Sequence, residues 1–199
     1  MLLATIVLGL ADPLDVQYQG DIVGVDRGCL KVINDKQPLD LAIGDFDTVS
    51  AKDLKKIKEK AEKFIQLSPI KDESDFELAL EYGDQYDEIH IYGGFGGRLD
   101  HEIVNLRHLM ADHRLVMHNQ QNKLFTLLPG SYVIDKENFK YLSLFAVSKS
   151  KVTLKGVVYP LEERILNTDE HYTLSNEILD EQAQLVVHNG RLLIVQSND

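Results

Sequence analysis

Cysteine is nearly absent: Cys29 is the only one in 199 residues. That excludes an intrachain disulfide and a multi-cysteine zinc site, and makes the reducing cytoplasm the simplest location. Positive charge is also short, with 21 Lys and Arg against 32 Asp and Glu and a net charge of −11. Such a balance gives no sequence-independent grip on nucleic acid or on an anionic membrane surface. The apolar start, Met1 to Leu10, is too short for a bilayer and has no basic flank, so it reads as a first strand and not as a signal or anchor. A phosphorylated ligand would have to be received by a divalent cation, together with local cations and backbone N–H groups that reverse the sign of the field at one site.

What is present is ordinary for a folded chain, 44% hydrophobic and 27% charged, and long enough for one large domain or two small ones. The first half alternates. Apolar runs at Leu3 to Leu10, Asp21 to Asp26, Leu39 to Phe46, Phe64 to Leu67, Glu88 to Tyr92 and Arg114 to Asn119 read as strands. Ala51 to Lys63, the stretch with Leu78, Ala79 and Tyr82, and the stretch with Ile103, Leu106, Leu109 and Met110 read as helices. This pattern predicts an α/β domain over residues 1–122 with a mainly parallel, Rossmann-like three-layer sheet. The polar run Gln120-Gln121-Asn122-Lys123 marks a boundary, and residues 123–199 read as a small all-β sandwich or partly open barrel. Its expected strands are Leu124 to Leu128, Ser131 to Asp135, Tyr141 to Ala146, Lys151 to Val158, Glu170 to Leu174, Gln184 to His188 and Leu192 to Gln196. His188-Asn189-Gly190-Arg191 reads as a hairpin turn, and so small a core is expected to lean on its neighbour or on a second chain.

In a parallel α/β sheet, ligands collect beyond the carboxyl ends of the strands, and here those ends carry polar groups. Asp26-Arg27-Gly28 follows the second run. Gly44-Asp45-Phe46-Asp47-Thr48 closes the third; if strand geometry persists through it, Asp45 and Asp47 project to one side and Phe46 to the other. Two carboxylates so close suit a hard cation, and they equally suit a solvated turn. Lys71-Asp72-Glu73-Ser74-Asp75-Phe76-Glu77 offers further carboxylates, although Asp72 and Ser74 are also plausible helix caps. Gly93, Gly94, Gly96 and Gly97 form a loop before a helix that begins near Arg98-Leu99-Asp100-His101. Such a loop lets backbone N–H groups approach an anion. No Gly-Lys-Ser/Thr follows, so it is not a P-loop, and Leu99 breaks the dinucleotide fingerprint. His101, Asn105 and His108 share a helical face, which fits a polar stripe as well as it fits ligation. Arg98 is well placed to pair with phosphate. Carboxylates beside a phosphate-shaped loop and an arginine are what a Mg²⁺-dependent transfer from a nucleoside triphosphate needs.

Gly44-Asp45-Phe46-Asp47, Lys71-Asp72-Glu73-Ser74-Asp75, Gly96-Gly97-Arg98-Leu99-Asp100-His101 and Leu174-Ser175-Asn176-Glu177 resemble, in this order and at similar spacing, the motifs of bacterial thiamine pyrophosphokinases. Val25-Asp26-Arg27-Gly28, Tyr141-Leu142-Ser143-Leu144-Phe145 and Lys155-Gly156-Val157-Val158-Tyr159-Pro160 extend the resemblance over nearly the whole chain. It implies transfer of the terminal pyrophosphate of ATP to the hydroxyethyl arm of thiamine, giving thiamine diphosphate and AMP. It further implies a homodimer, with substrate between the N-terminal domain of one chain and the β domain of the other. On that resemblance Asp45, Asp47 and Asp75 hold Mg²⁺. Asp26, Lys71, Arg98 and the glycines at 93, 94, 96 and 97 receive ATP, and Asp72, Arg98 and Asp100 form the catalytic group. Asp100, Ser175, Asn176 and Tyr159 contact thiamine. Phe95 and Arg27 depart from the commonest forms of the motifs and bear on the shape of the nucleotide pocket. Pyrophosphoryl transfer to another heterocyclic alcohol, such as a hydroxymethyl pterin, and a non-catalytic nucleotide sensor are the alternative readings.

Overall fold

The computed structural model describes residues 1–11, 17–68, 70 and 73–199. These divide into two compact units, residues 1–105 with 118–120 and residues 106–117 with 121–199.

In the first unit the short aliphatic runs become β1 (Leu3–Val7), β2 (Asp21–Val25), β3 (Leu39–Gly44), β4 (Ala61–Gln66) and β5 (Glu88–Tyr92). They pair in parallel in the order β5-β1-β2-β3-β4. Near-continuous burial along β1, β2 and β3 is what a parallel sheet covered on its faces requires. The chain order reverses at β1, which has β2 on one side and β5 on the other. Crevices for ligands open at such a switch point, beyond the carboxyl ends of the strands.

Between the strands run α1 (Gly28–Asn34), α2 (Ala51–Lys60) and α3 (Asp75–Glu81). The first of these is not legible in the sequence, where Gly28 reads as a turn. Gly28 instead abuts Val7 O, where any Cβ would collide, and Cys29 and Val32 bury one face. The second helix stops at Lys60, short of the expected Lys63, and β4 begins at once with Ala61 opposite Leu39. Sheet pairing there overrides the helix propensity of the Lys and Glu residues. α2 is capped by Ser50, whose hydroxyl accepts from Asp53 N–H.

α4 (Leu99–Ala111) follows the glycine loop, then β6 (Leu115–His118). The second unit continues as β7 (Asn122–Leu127), β8 (Gly130–Asp135), β9 (Tyr141–Lys155), β10 (Leu161–Leu166) and β11 (Gln182–Ser197), and no helix follows Ala111. β11 is its spine. It pairs antiparallel with β9 along one edge and with β8 and then β7 along the other, while β10 lies outside β9.

The expected hairpin at His188–Arg191 is absent: β11 runs straight through it. Gly190 adopts a φ of +84°, and the register with β9 slips on both sides of Asn189. Buried positions change phase across this bulge, from Ala183, Leu185 and Val187 to Leu192 and Ile194. A bulge that moves the inward set by one residue looks, in sequence, like a strand ending and another beginning. Residues from both halves of β11 share one core with Leu142, Leu144, Val152 and Leu154 of β9. Likewise Tyr141 to Ala146 and Lys151 to Val158 fuse into β9, Leu161–Leu166 forms a strand, and Glu170 to Leu174 is turn-rich instead of a strand. No described helix is long and apolar enough to cross a membrane.

Candidate active site

The first unit's site is built on departures from strand geometry. β2 stops at Val25, and Asp26 enters the left-handed region with φ +48°. Its Oδ1 accepts a hydrogen bond from Phe46 N–H at 3.0 Å. That carboxylate lies over Gly44, where a Cβ would run into Oδ1, so glycine is required at the end of β3. Phe46 itself has φ +57° and is 4% exposed, stacked on Phe64 with centroids 5.0 Å apart. The strand therefore does not persist through the acidic pair. Asp45 and Asp47 sit instead in a turn, with Asp47 N–H donating to Asp45 Oδ1 at 3.0 Å.

Asp75 opens α3. Ser74 caps this helix, its hydroxyl accepting from Glu77 N–H at 3.2 Å while Glu77 Oε2 accepts from Ser74 N–H at 2.7 Å. One carboxylate oxygen from each of Asp26, Asp45 and Asp75 lies within 4.8 Å of the others. Asp26 registers the crowding. Burial first, then a hydrogen bond with Asp75 and the negative charges of Asp75 and Asp45, push its pKa up to about 7, against the opposing pull of Phe46 N–H. An all-oxygen, anionic donor set of this kind fits a hard divalent cation such as Mg²⁺.

Beyond β5 the glycine loop turns with positive φ at Gly93, Gly96 and Gly97. A side chain on Gly93 would strike the Ala11 backbone and come within 2.9 Å of Leu8 O. Gly93→Ala is therefore expected to destabilise the fold by about 2 kcal/mol or more, measured by chemical denaturation. Gly96 has open space where its Cβ would be. Asn105 Nδ2 donates to Gly94 O at 3.0 Å, so this member of the polar stripe braces the loop. Arg98 binds Asp100 through two hydrogen bonds, Nε to Oδ1 at 3.1 Å and Nη2 to Oδ2 at 2.6 Å. Hydrogen bonding to Arg98 holds the Asp100 carboxyl down at about 2, and Asp100 raises the guanidinium in turn.

These elements surround a cleft of about 760 Å³, lined by Asp26, Asp75, Gly93, Gly94, Gly96, Gly97, Arg98 and Asp100. Asp45 joins through the carboxylate group, whereas Asp47 is exposed and outside it. Lys71 and Asp72 lie outside the described residues. Sequence reasoning did not place Leu8-Gly9-Leu10, Ser74, His101 or Asn105 on this cleft, yet they line it. The signal for the first three is topological: they leave β1, the strand at the switch point.

In the second unit Asn176 is 6% exposed, and its amide clamps one turn. Oδ1 accepts from Tyr159 N–H at 3.0 Å and Glu177 N–H at 2.9 Å, and Nδ2 donates to Tyr159 O at 2.8 Å. Tyr159 is thereby held 70% exposed. Ser175 takes a φ of +56°, with its N–H on Ser143 Oγ at 2.9 Å. A small cavity of about 60 Å³ lies between Tyr159, Tyr172, Leu174 and Asn176.

A carboxylate cluster and a glycine loop at the switch point of a parallel sheet, on a chain with a second, mainly β unit, are the arrangement that enzymes handling phosphate groups use. Residues 18–121 match the family model of the thiamin pyrophosphokinase catalytic domain, and residues 131–192 match that of the thiamin pyrophosphokinase vitamin B1 binding domain. The chain belongs to the thiamin pyrophosphokinase family, a family of enzymes. It is 29% identical over 186 residues to the thiamine pyrophosphokinase of Bacillus subtilis strain 168, covering 89% of this chain and 87% of that one. A crystal structure of the thiamine pyrophosphokinase from Bacillus subtilis superposes with a TM-score of 0.88 at 28% identity, over 99% of both chains. That of the enzyme from Geobacillus thermodenitrificans does so with a TM-score of 0.84 at 30% identity, over 100% of this chain and 98% of the other.

Proposed function

We propose that the chain transfers the pyrophosphoryl group of ATP to the hydroxyl of thiamine, giving thiamine diphosphate and AMP, with Mg²⁺ held by the acidic turn. The observation that carries this reading is the convergence of Asp26, Asp45 and Asp75 within 4.8 Å. Asp47, next on the same turn, is a further carboxylate for the cation. Mg²⁺ would supply charge neutralisation on the triphosphate. Arg98 and the N–H groups of the glycine loop receive phosphate oxygens. Asp100 and Asp72 orient thiamine and its hydroxyl, and Lys71 adds a cation on the nucleotide side.

Thiamine carries a fixed positive charge, which an acidic crevice and an aromatic ring such as Tyr159 suit. Ser175 and Asn176 serve the thiamine side, Asn176 by fixing the turn that bears Tyr159. Residues 1–122, as a three-layer Rossmann-like domain, would bind ATP and Mg²⁺; residues 123–199 would bind thiamine and dimerise, with substrate between the domains of two cytoplasmic chains. Turnover assayed on a panel of alcohols should release AMP with thiamine and none with a hydroxymethyl pterin. Turnover of the pterin alone would reverse the assignment, and ATP binding without turnover on any alcohol would favour a sensor.

The pKa of Asp26 makes the cation effect pH-dependent. Held near 7, Asp26 keeps a proton in the fold that the unfolded chain has released, so this group's contribution to stability is lost as pH rises from the ordinary carboxylate range through about 7. Above that Asp26 carries its charge beside Asp45 and Asp75, and a bound cation relieves the repulsion. Mg²⁺ should therefore raise Tm more at pH 8 than at pH 5.5, and Asp26→Asn should shrink that difference, as read by scanning calorimetry.

A further inference from the structure

Two donors of the glycine loop are satisfied by carboxylates from the helix that follows it. Arg98 carries Asp100 in a two-point hydrogen bond. Gly96 N–H donates to Glu102 Oε2 at 3.1 Å. Acidic residues in the first turn of a helix need no special cause, since they complement its dipole. What these two touch is more specific. A guanidinium fork and the N–H of a loop glycine that has open space at its Cβ position are groups that a phosphate oxygen would take, and a carboxylate is the nearest side-chain substitute for it.

We infer that Glu102, with Asp100 beside it, acts as an internal anion that occupies the phosphate site until nucleotide displaces it, and so lowers the affinity of the cleft for nucleotide. Binding is then an exchange of one anion for another. The loop keeps its shape without ligand because its donors are already engaged, and the incoming phosphates must replace both carboxylates to gain both contacts. A triphosphate can reach two donors at once; a monophosphate replaces one carboxylate and leaves the other in place. The displacement cost therefore falls at least as heavily on the triphosphate as on the monophosphate.

This rests on the reading of the cleft as a nucleotide site, and the test separates the two. Bind α,β-methylene-ATP with Mg²⁺, and AMP separately, to the wild-type chain, Glu102→Ala and Glu102→Gln by calorimetry, and follow the Gly96 amide by ¹H–¹⁵N NMR. Glu102→Ala should bind the triphosphate analogue about three- to tenfold tighter and AMP tighter by no larger a factor, with Glu102→Gln between. The wild-type Gly96 resonance should move on saturation to a position that the bound Glu102→Ala protein shares, while their free positions differ. Unchanged or weaker binding by Glu102→Ala overturns the proposal and makes Glu102 a fixed brace of the helix start. Failure of every form, wild type included, to bind the analogue would instead remove the nucleotide reading on which it stands.

Discussion

Asp75→Asn should lower kcat by about 10²–10³-fold while the protein stays folded, the size of loss seen when one preorganised electrostatic contact to a reacting centre is removed. The helix it opens does not depend on its side chain, because the Ser74 and Glu77 capping box is made by neighbours. The side chain is instead one of three carboxylates within 4.8 Å. Replacing it removes a negative charge that pushes Asp26 upward, so the metal-free protein should become no less stable, and its Tm should fall less with rising pH. Turnover thus falls without a loss of stability. Steady-state kinetics and calorimetry on the same sample check this; a parallel fall in both would identify Asp75 as a structural residue.

Arg98→Ala should reduce kcat/KM for ATP by about a hundredfold with Tm unchanged. Arg98 is exposed, and its two-point hydrogen bond to Asp100 is a solvent-screened pair that adds little to the fold. Arg98, however, lines the cleft together with Gly96 and Gly97. Arg98→Lys should recover only part of the loss, because a point charge cannot reproduce a planar two-point contact. Full activity in Arg98→Lys would mean that charge alone is used there.

The parallel strands were legible because buried β-branched runs leave little choice, and β5 falls on the stretch read from sequence, Glu88 to Tyr92. The carboxylates after strand ends were legible for the same reason: polar residues that interrupt such runs fall on one edge. How Asp45 and Asp47 differ was not. Their separation follows from the left-handed backbone at Asp26 and Phe46, which depends on Phe46 burying against Phe64 and on Gly44 leaving room for Asp26. No two-residue periodicity encodes that. Asp26, read as a nucleotide contact, stands in the carboxylate group for the same tertiary reason. In the β unit most of the strand alternation is legible, but its phase change at Gly190 reads in sequence as a chain reversal, since a bulge and a turn both favour Asn-Gly. Asn176 was read from its motif as a ligand contact, and the hydrogen bonds that its amide makes to Tyr159 could be found only in three dimensions.

The most direct measurement follows the fate of the β-phosphate. With ATP labelled at that position, Mg²⁺ and thiamine, label should appear in thiamine diphosphate at the rate at which unlabelled AMP forms. Label retained in ADP, with thiamine monophosphate as the product, would contradict pyrophosphoryl transfer by this site.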